Sequence, residues 1–152
     1  MNRCLLGVIC VAFFLASCQQ ANPQVPDTPE AFTTQASVEK YIDANLNYDA
    51  DSLMSLYADD LFYMDYGINA GPLTRGNLDY YVHETMAARD FGIDFKSYVI
   101  TPDGRFAAIE ALYSEQADLA RKWATTPAFA LLEFKDGKII SETWYYDGSV
   151  FH

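Results

Sequence analysis

The chain keeps its two periodicities apart. Up to about Gly92 the apolar residues recur mostly at helical spacing, and beyond it the texture is that of strands. A chain that segregates its helices from its strands folds as α+β rather than as alternating βαβ units. Val38, Tyr41, Ile42, Asn45 and Leu46 fall on one face of a first helix, with Thr34 or Ser37 as its cap. Asp51 can cap a second helix with Leu53, Leu56 and Tyr57 inward and Ala58-Asp59-Asp60 as its solvated last turn. Leu78, Tyr81, Val82, Thr85 and Met86 repeat the spacing for a third helix that ends near Asp90 and keeps His83 on its wet face. The exception in this half is Leu61–Tyr66, a short apolar strand, followed by a loop over Gly67–Thr74. Four strands then follow: Ile93–Thr101, Phe106–Ser114, Pro127–Phe134 and Lys138–Asp147. Pro102-Asp103-Gly104 marks a turn, Asp118–Lys122 a break, and Asp136-Gly137 a tight hairpin.

Composition narrows the partners. At 152 residues the chain holds one domain with a real core, and 51% apolar and 15% aromatic residues argue against disorder. A net charge of −11, with no basic cluster, argues against nucleic acid as a partner. Cys4, Cys10 and Cys18 all precede the domain, which therefore has no disulfide and no thiol nucleophile of its own. His83 and His152 are the only histidines, so no metal site is expected.

Residues 1–17 read as a targeting segment. Arg3 precedes an apolar run, Cys4–Leu15, that is too short to span a bilayer. The run ends in Leu15-Ala16-Ser17-Cys18, which resembles the lipobox of bacterial lipoproteins. That resemblance implies a lipid (palmitate) anchor at Cys18 and a place in the cell envelope. With Gln19 after the cysteine, it implies the outer membrane facing the periplasm if the cell is Gram-negative. Residues 18–33 carry Pro23, Pro26 and Pro29 and read as an extended tether, leaving 34–152 as the folded domain.

One carboxylate stands out in the domain. Asp65 lies among Phe62, Tyr63, Met64 and Tyr66, and strand alternation puts it on the face of Leu61 and Tyr63. Such a group is either a desolvated acid–base residue or a strand residue that meets water. In the last strand, Ile140, Glu142, Trp144 and Tyr146 share one face, and Ile139, Ser141, Thr143, Tyr145 and Asp147 the other. Glu142 and Asp147 can both point inward only if a bulge intervenes.

Tyr41–Gly67, YIDANLNYDADSLMSLYADDLFYMDYG, and Phe134–Asp147, FKDGKIISETWYYD, carry a family resemblance. The chain resembles the nuclear transport factor 2-like superfamily, in its SnoaL-like and ketosteroid isomerase-like branches, over about Ala36–Asp147. The first segment lines up with the isomerases without a gap. The resemblance implies a curved antiparallel sheet that forms a cone with three helices around an apolar pocket. It places Asp65 where the isomerases carry a general base and Tyr41 where they carry an oxyanion donor. Tyr57 falls on a supporting tyrosine, and Tyr80 or Tyr81 falls near a further pocket tyrosine. Ala130 stands where their second donor, a protonated aspartate, would be. Trp144 and Tyr146 face the pocket in the isomerase register, and Glu142 with them, whereas SnoaL-like cyclases place a catalytic aspartate near Asp147.

Two functional readings follow. In one the domain binds a small hydrophobic ligand without turnover; in the other it is a cofactor-independent isomerase, dehydratase or cyclase acting on a small carbonyl compound. The missing second donor favours binding, and the retained Tyr41–Asp65 pair favours the enzyme. The candidate catalytic residues are Asp65, Tyr41 and Asp147, and the candidate pocket residues are Tyr57, Tyr63, Tyr81, Trp144, Tyr146 and Glu142. Tyr41 and Asp65 are expected to converge on one cavity with a mostly aromatic and aliphatic lining, with burial raising the Asp65 pKa. The resemblance also implies a homodimer through the open face of the sheet.

Overall fold

The computed structural model describes residues 28–117 and 122–151. The targeting segment, Cys18, most of the tether and His152 lie outside the described residues. Three helices, α1 (Pro29–Asn47), α2 (Ala50–Met54) and α3 (Arg75–Ala88), accompany six strands. The strands are β1 (Tyr57–Asp65), β2 (Ala70–Leu73), β3 (Phe91–Ile100), β4 (Phe106–Ala117), β5 (Lys122–Lys135) and β6 (Lys138–Tyr146), and a 3-10 turn covers Gly148–Phe151.

Helix α1 starts earlier than its apolar spacing predicts. Thr28, not Thr34 or Ser37, is the cap: its hydroxyl accepts from the Ala31 N–H at 3.1 Å, and Pro29 fills the first helical position, where no N–H is needed. The stretch from Pro29 to Thr33, expected as tether, is therefore its first turn and a half. Thr34 instead points inward and donates to the Gly104 carbonyl at 2.6 Å. The buried face is Ala31, Thr34, Val38, Tyr41, Ala44 and Asn45, whereas Leu46 is exposed. Helix α2 is one turn, capped by Asp49 rather than Asp51. Helix α3 buries Leu78, Val82 and Met86, one residue every four, and leaves His83 outside within reach of Asp51 and Asp79.

The sheet runs in the order β2-β1-β6-β5-β4-β3. Every neighbouring pair is antiparallel except β1 and β6, which run parallel and join the early strands to the late meander. The expected all-antiparallel sheet is thus mixed, with one parallel seam. Tyr57, expected on a helix, opens β1, and the expected loop after Gly67 contains β2. The hairpin between β5 and β6 turns on Asp136 and Gly137, both with positive φ (51° and 74°), as a two-residue turn of this kind requires.

A bulge sets which face of β6 looks inward. Glu133 pairs with Ser141 and Phe134 with Ile139, so Ile140 is the extra residue. Ile139, Glu142 and Trp144 are buried together, which simple alternation does not allow. The inner face of the sheet continues through Ile109, Ala130, Leu132, Leu61 and Tyr63, and the helices cover it. On the outer face Phe62, Phe129, Leu131 and Tyr145 are exposed.

Candidate functional site

Between α1, α3 and the inner face lies a cavity of about 340 Å³. Two carboxylates on its wall, Asp65 of β1 and Glu142 of β6, organise its polar groups. They sit on the two strands of the parallel seam, where Tyr63 pairs with Glu142 and Asp65 with Trp144.

Glu142 is 2% exposed and accepts three hydrogen bonds. Tyr41 donates to its Oε1 at 2.7 Å, Trp144 Nε1 to the same oxygen at 2.6 Å, and Tyr57 to Oε2 at 2.5 Å. Burial raises its pKa, and the three donors work in the other direction. The indole N–H can only donate, so this set of partners is one a carboxylate satisfies. Burial, and next the charge of Glu142, hold the Tyr41 and Tyr57 hydroxyls well above the ordinary phenol range.

Asp65 is 5% exposed and faces inward, as alternation predicts. Its Oδ1 accepts from the Gly67 and Ile68 N–H groups at 2.9 and 3.3 Å, and its Oδ2 from the Tyr146 hydroxyl at 3.0 Å. Burial raises its pKa above the ordinary carboxylate value, opposed by these bonds. Arg75 does not neutralise it: that guanidinium donates to the Met54 carbonyl and lies near Asp59. The Tyr146 ring reaches Asp65 across Gly67, where a Cβ would lie 2.2 Å from the ring.

The placement of the expected residues is therefore mixed. Tyr41, Tyr57, Tyr63, Asp65 and Tyr81 line the cavity, as do Glu142, Trp144 and Tyr146. Tyr81, not Tyr80, is the inward residue of that pair, since Tyr80 is 71% exposed. Tyr41 and Asp65 both line the one cavity, as expected, and there the Tyr41 hydroxyl is bonded to Glu142 rather than to Asp65. Asp147 lies on the surface outside the cavity, and its carboxylate accepts from the Ser149 N–H and hydroxyl to cap the final turn. Ala130 is buried opposite Trp144 and supplies no donor.

Several lining residues escape a sequence reading. Tyr113 packs against Tyr146 at a tilt, with ring centroids 4.8 Å apart. Glu115 and Asp90 add two further carboxylates, and Asp90 is exposed. Glu115 lies where β4 runs on past its expected end at Ser114, and it and Tyr113 pair with the start of β3. Among the described residues no group of His, Cys, Asp and Glu is placed to hold a metal ion.

Solved structures give the fold its relatives. A protein of Catenulispora acidiphila with a ketosteroid isomerase-like fold, solved with trimethylamine, is 23% identical, with 76% of this chain and 88% of that chain covered at a TM-score of 0.64. A candidate SnoaL-like polyketide cyclase of Jannaschia sp. is 11% identical over 81% of this chain and 91% of its own, with a TM-score of 0.66. An epoxide hydrolase of M. tuberculosis, of the LEH-like kind, is 20% identical over 81% and 89%, with a TM-score of 0.64. No family model matches the chain, and no curated protein matches its sequence. The architecture is the nuclear transport factor 2-like cone of SnoaL-like and ketosteroid isomerase-like proteins.

Proposed function

We propose that this domain holds a small ligand with an apolar body in its cone, without turning it over, and that a lipid on Cys18 displays it at the cell envelope. The observation that carries the reading is the commitment of the donors. Proton transfer beside a carbonyl needs a base at the carbon and a donor at the oxygen. The Tyr41 hydroxyl, the donor that the resemblance suggests, and the Tyr57 hydroxyl beside it are both bonded to Glu142. The cavity and its aromatic wall do not depend on that chemistry and suit a small molecule. The same fold carries many functions, so the site decides and not the architecture.

A second reading keeps the enzyme. Asp65 is inward, desolvated and without a cation among the described residues, which suits a general base for isomerisation, dehydration or cyclisation. Native mass spectrometry of the full chain purified from its membrane separates the two. A small molecule that is retained natively, released on denaturation and unchanged by Asp65→Asn supports the binding reading. An empty cavity would overturn it, and a molecule that the wild type converts and Asp65→Asn does not would replace it with the enzyme. The anchor has its own test: Cys18→Ala should move the protein out of the detergent phase, and unchanged partitioning would remove the anchor.

A further inference from the structure

The charge on the cavity wall has one sign. Asp65, Asp90, Glu115 and Glu142 line it, and among the described residues no Lys, Arg or His does. Several described cations are engaged elsewhere: Arg75 near Asp59, Lys96 at Asp94, Arg105 at Glu133, Arg89 over the Tyr48 ring, and Lys40 and Lys138 at Ser55. The Asp65 charge adds a little to what burial makes costly, the charge of Glu142. Two buried carboxylates on one wall, Asp65 and Glu142, that face no cation among the described residues leave that part of the cavity electrostatically incomplete.

A second observation is independent of the acids. Tyr63 is 7% exposed and lines the cavity, yet no described residue hydrogen-bonds its hydroxyl. It stands on β1 directly opposite Glu142 and two residues before Asp65. Its ring is part of an aromatic wall with Tyr81, Tyr113, Trp144 and Tyr146. A mostly buried phenol whose hydroxyl opens on the cavity without a described protein partner, close to two carboxylates, is a position open to a polar group from outside the chain.

We infer that the ligand is a small organic cation of the alkylammonium class, its charged nitrogen between Asp65 and Glu142 and its alkyl groups against the rings of Tyr63, Tyr81, Trp144 and Tyr146. This rests on the ligand-holding reading above and adds the sign of the charge. Aromatic faces attract alkylammonium groups through the ring quadrupole, and more strongly when water is excluded. Opposite charges at close range in such a site gain far more than they do at the surface. The net charge of −11 steers cations toward the molecule from a distance. The volume of about 340 Å³ suits a molecule of this size.

Choline and 3,3-dimethylbutan-1-ol test the inference, because they share a shape and differ in charge. In calorimetric titration of the full chain, choline should bind at least about tenfold more tightly than its neutral isostere, the scale expected for a desolvated cation on aromatic rings. Glu142→Gln and Asp65→Asn, which keep shape and hydrogen bonding, should each shrink that ratio. Equal binding of the two probes would overturn the charge inference and leave the pocket reading standing. Binding of neither would overturn the inference too, and native mass spectrometry would then judge the pocket reading separately.

Discussion

Glu142 and Asp65 share a cavity and a strand pairing but are held in different ways. Glu142 is gripped by three side chains from α1, β1 and β6, so its environment exists only when those elements are packed. Asp65 is gripped mainly by its own neighbourhood, two N–H groups of the turn that follows it, with one tyrosine from β6. The first arrangement ties a carboxylate to the fold. The second leaves a carboxylate that can change its protonation or its partner while the fold stays as it is. The resemblance to the isomerases puts Tyr41 and Asp65 in one catalytic pair, but the structure divides that pair between the two carboxylates.

The strongest way to break this contrast is truncation. Glu142→Ala should cost roughly 3–5 kcal/mol in chemical denaturation, because it leaves the Tyr41, Tyr57 and Trp144 donors buried without an acceptor. Asp65→Ala should cost less, about 1–2 kcal/mol, since Gly67 and Ile68 lie near enough to water to be re-satisfied. A larger loss at Asp65 than at Glu142 would invert the comparison.

The donors sharpen it at a smaller scale. Tyr41→Phe removes one of three bonds from a fully buried carboxylate and should cost about 1–3 kcal/mol. Tyr146→Phe takes one bond from Asp65, which keeps two backbone donors, and should cost about 1 kcal/mol or less. Paired urea melts at neutral pH give the difference, and equal losses would mean that the two environments are alike.

The smallest effect depends on pH. Burial raises the Asp65 pKa in the folded state, so between its unfolded and folded values the unfolded chain releases its proton first. Stability then falls as pH rises through that interval, and the full penalty stands above the folded pKa. Asn at this position can still accept from Gly67 and Ile68 and can donate to the Tyr146 hydroxyl. Asp65→Asn should therefore gain about 1 kcal/mol or less at neutral pH, and the gain should vanish below the ordinary carboxylate range. A gain that grows as pH falls would contradict the raised pKa.

Much of this architecture is written locally. The helical spacing, the Asp136-Gly137 turn and the inward face of Leu61, Tyr63 and Asp65 follow from two periods and from turn chemistry. What stays hidden is non-local. Leu53, Leu56 and Tyr57 satisfy a helical period, and Tyr57, Leu61, Tyr63 and Asp65 nearly satisfy a strand period; pairing with β6 settles the boundary in favour of the strand. The bulge at Ile140 turns Ile139 inward, and no residue type announces it. Tyr41 has the same place on its helix whether it bonds Asp65 or Glu142, so only the assembled cone distinguishes the two. Asp147 is a catalytic candidate through the resemblance to SnoaL-like cyclases, yet the strand ends one residue earlier and Asp147 lies at the surface.

The parallel seam between β1 and β6 has a consequence for motion. Opened there, the sheet separates into a piece with β1 and β2 and a piece with the other four strands. Two side-chain bonds cross that line in opposite directions: Tyr57 of β1 reaches Glu142, 85 positions away, and Tyr146 of β6 reaches Asp65, 81 positions away. Each carboxylate is thus a fastener between pieces that the chain connects only through α3. Protonating either one, or seating a ligand between them, acts on the free energy of opening as well as on the cavity. Amide exchange along β1 and β6 would slow or quicken together with the state of the pocket, and the outer strands β3 and β4 would not follow.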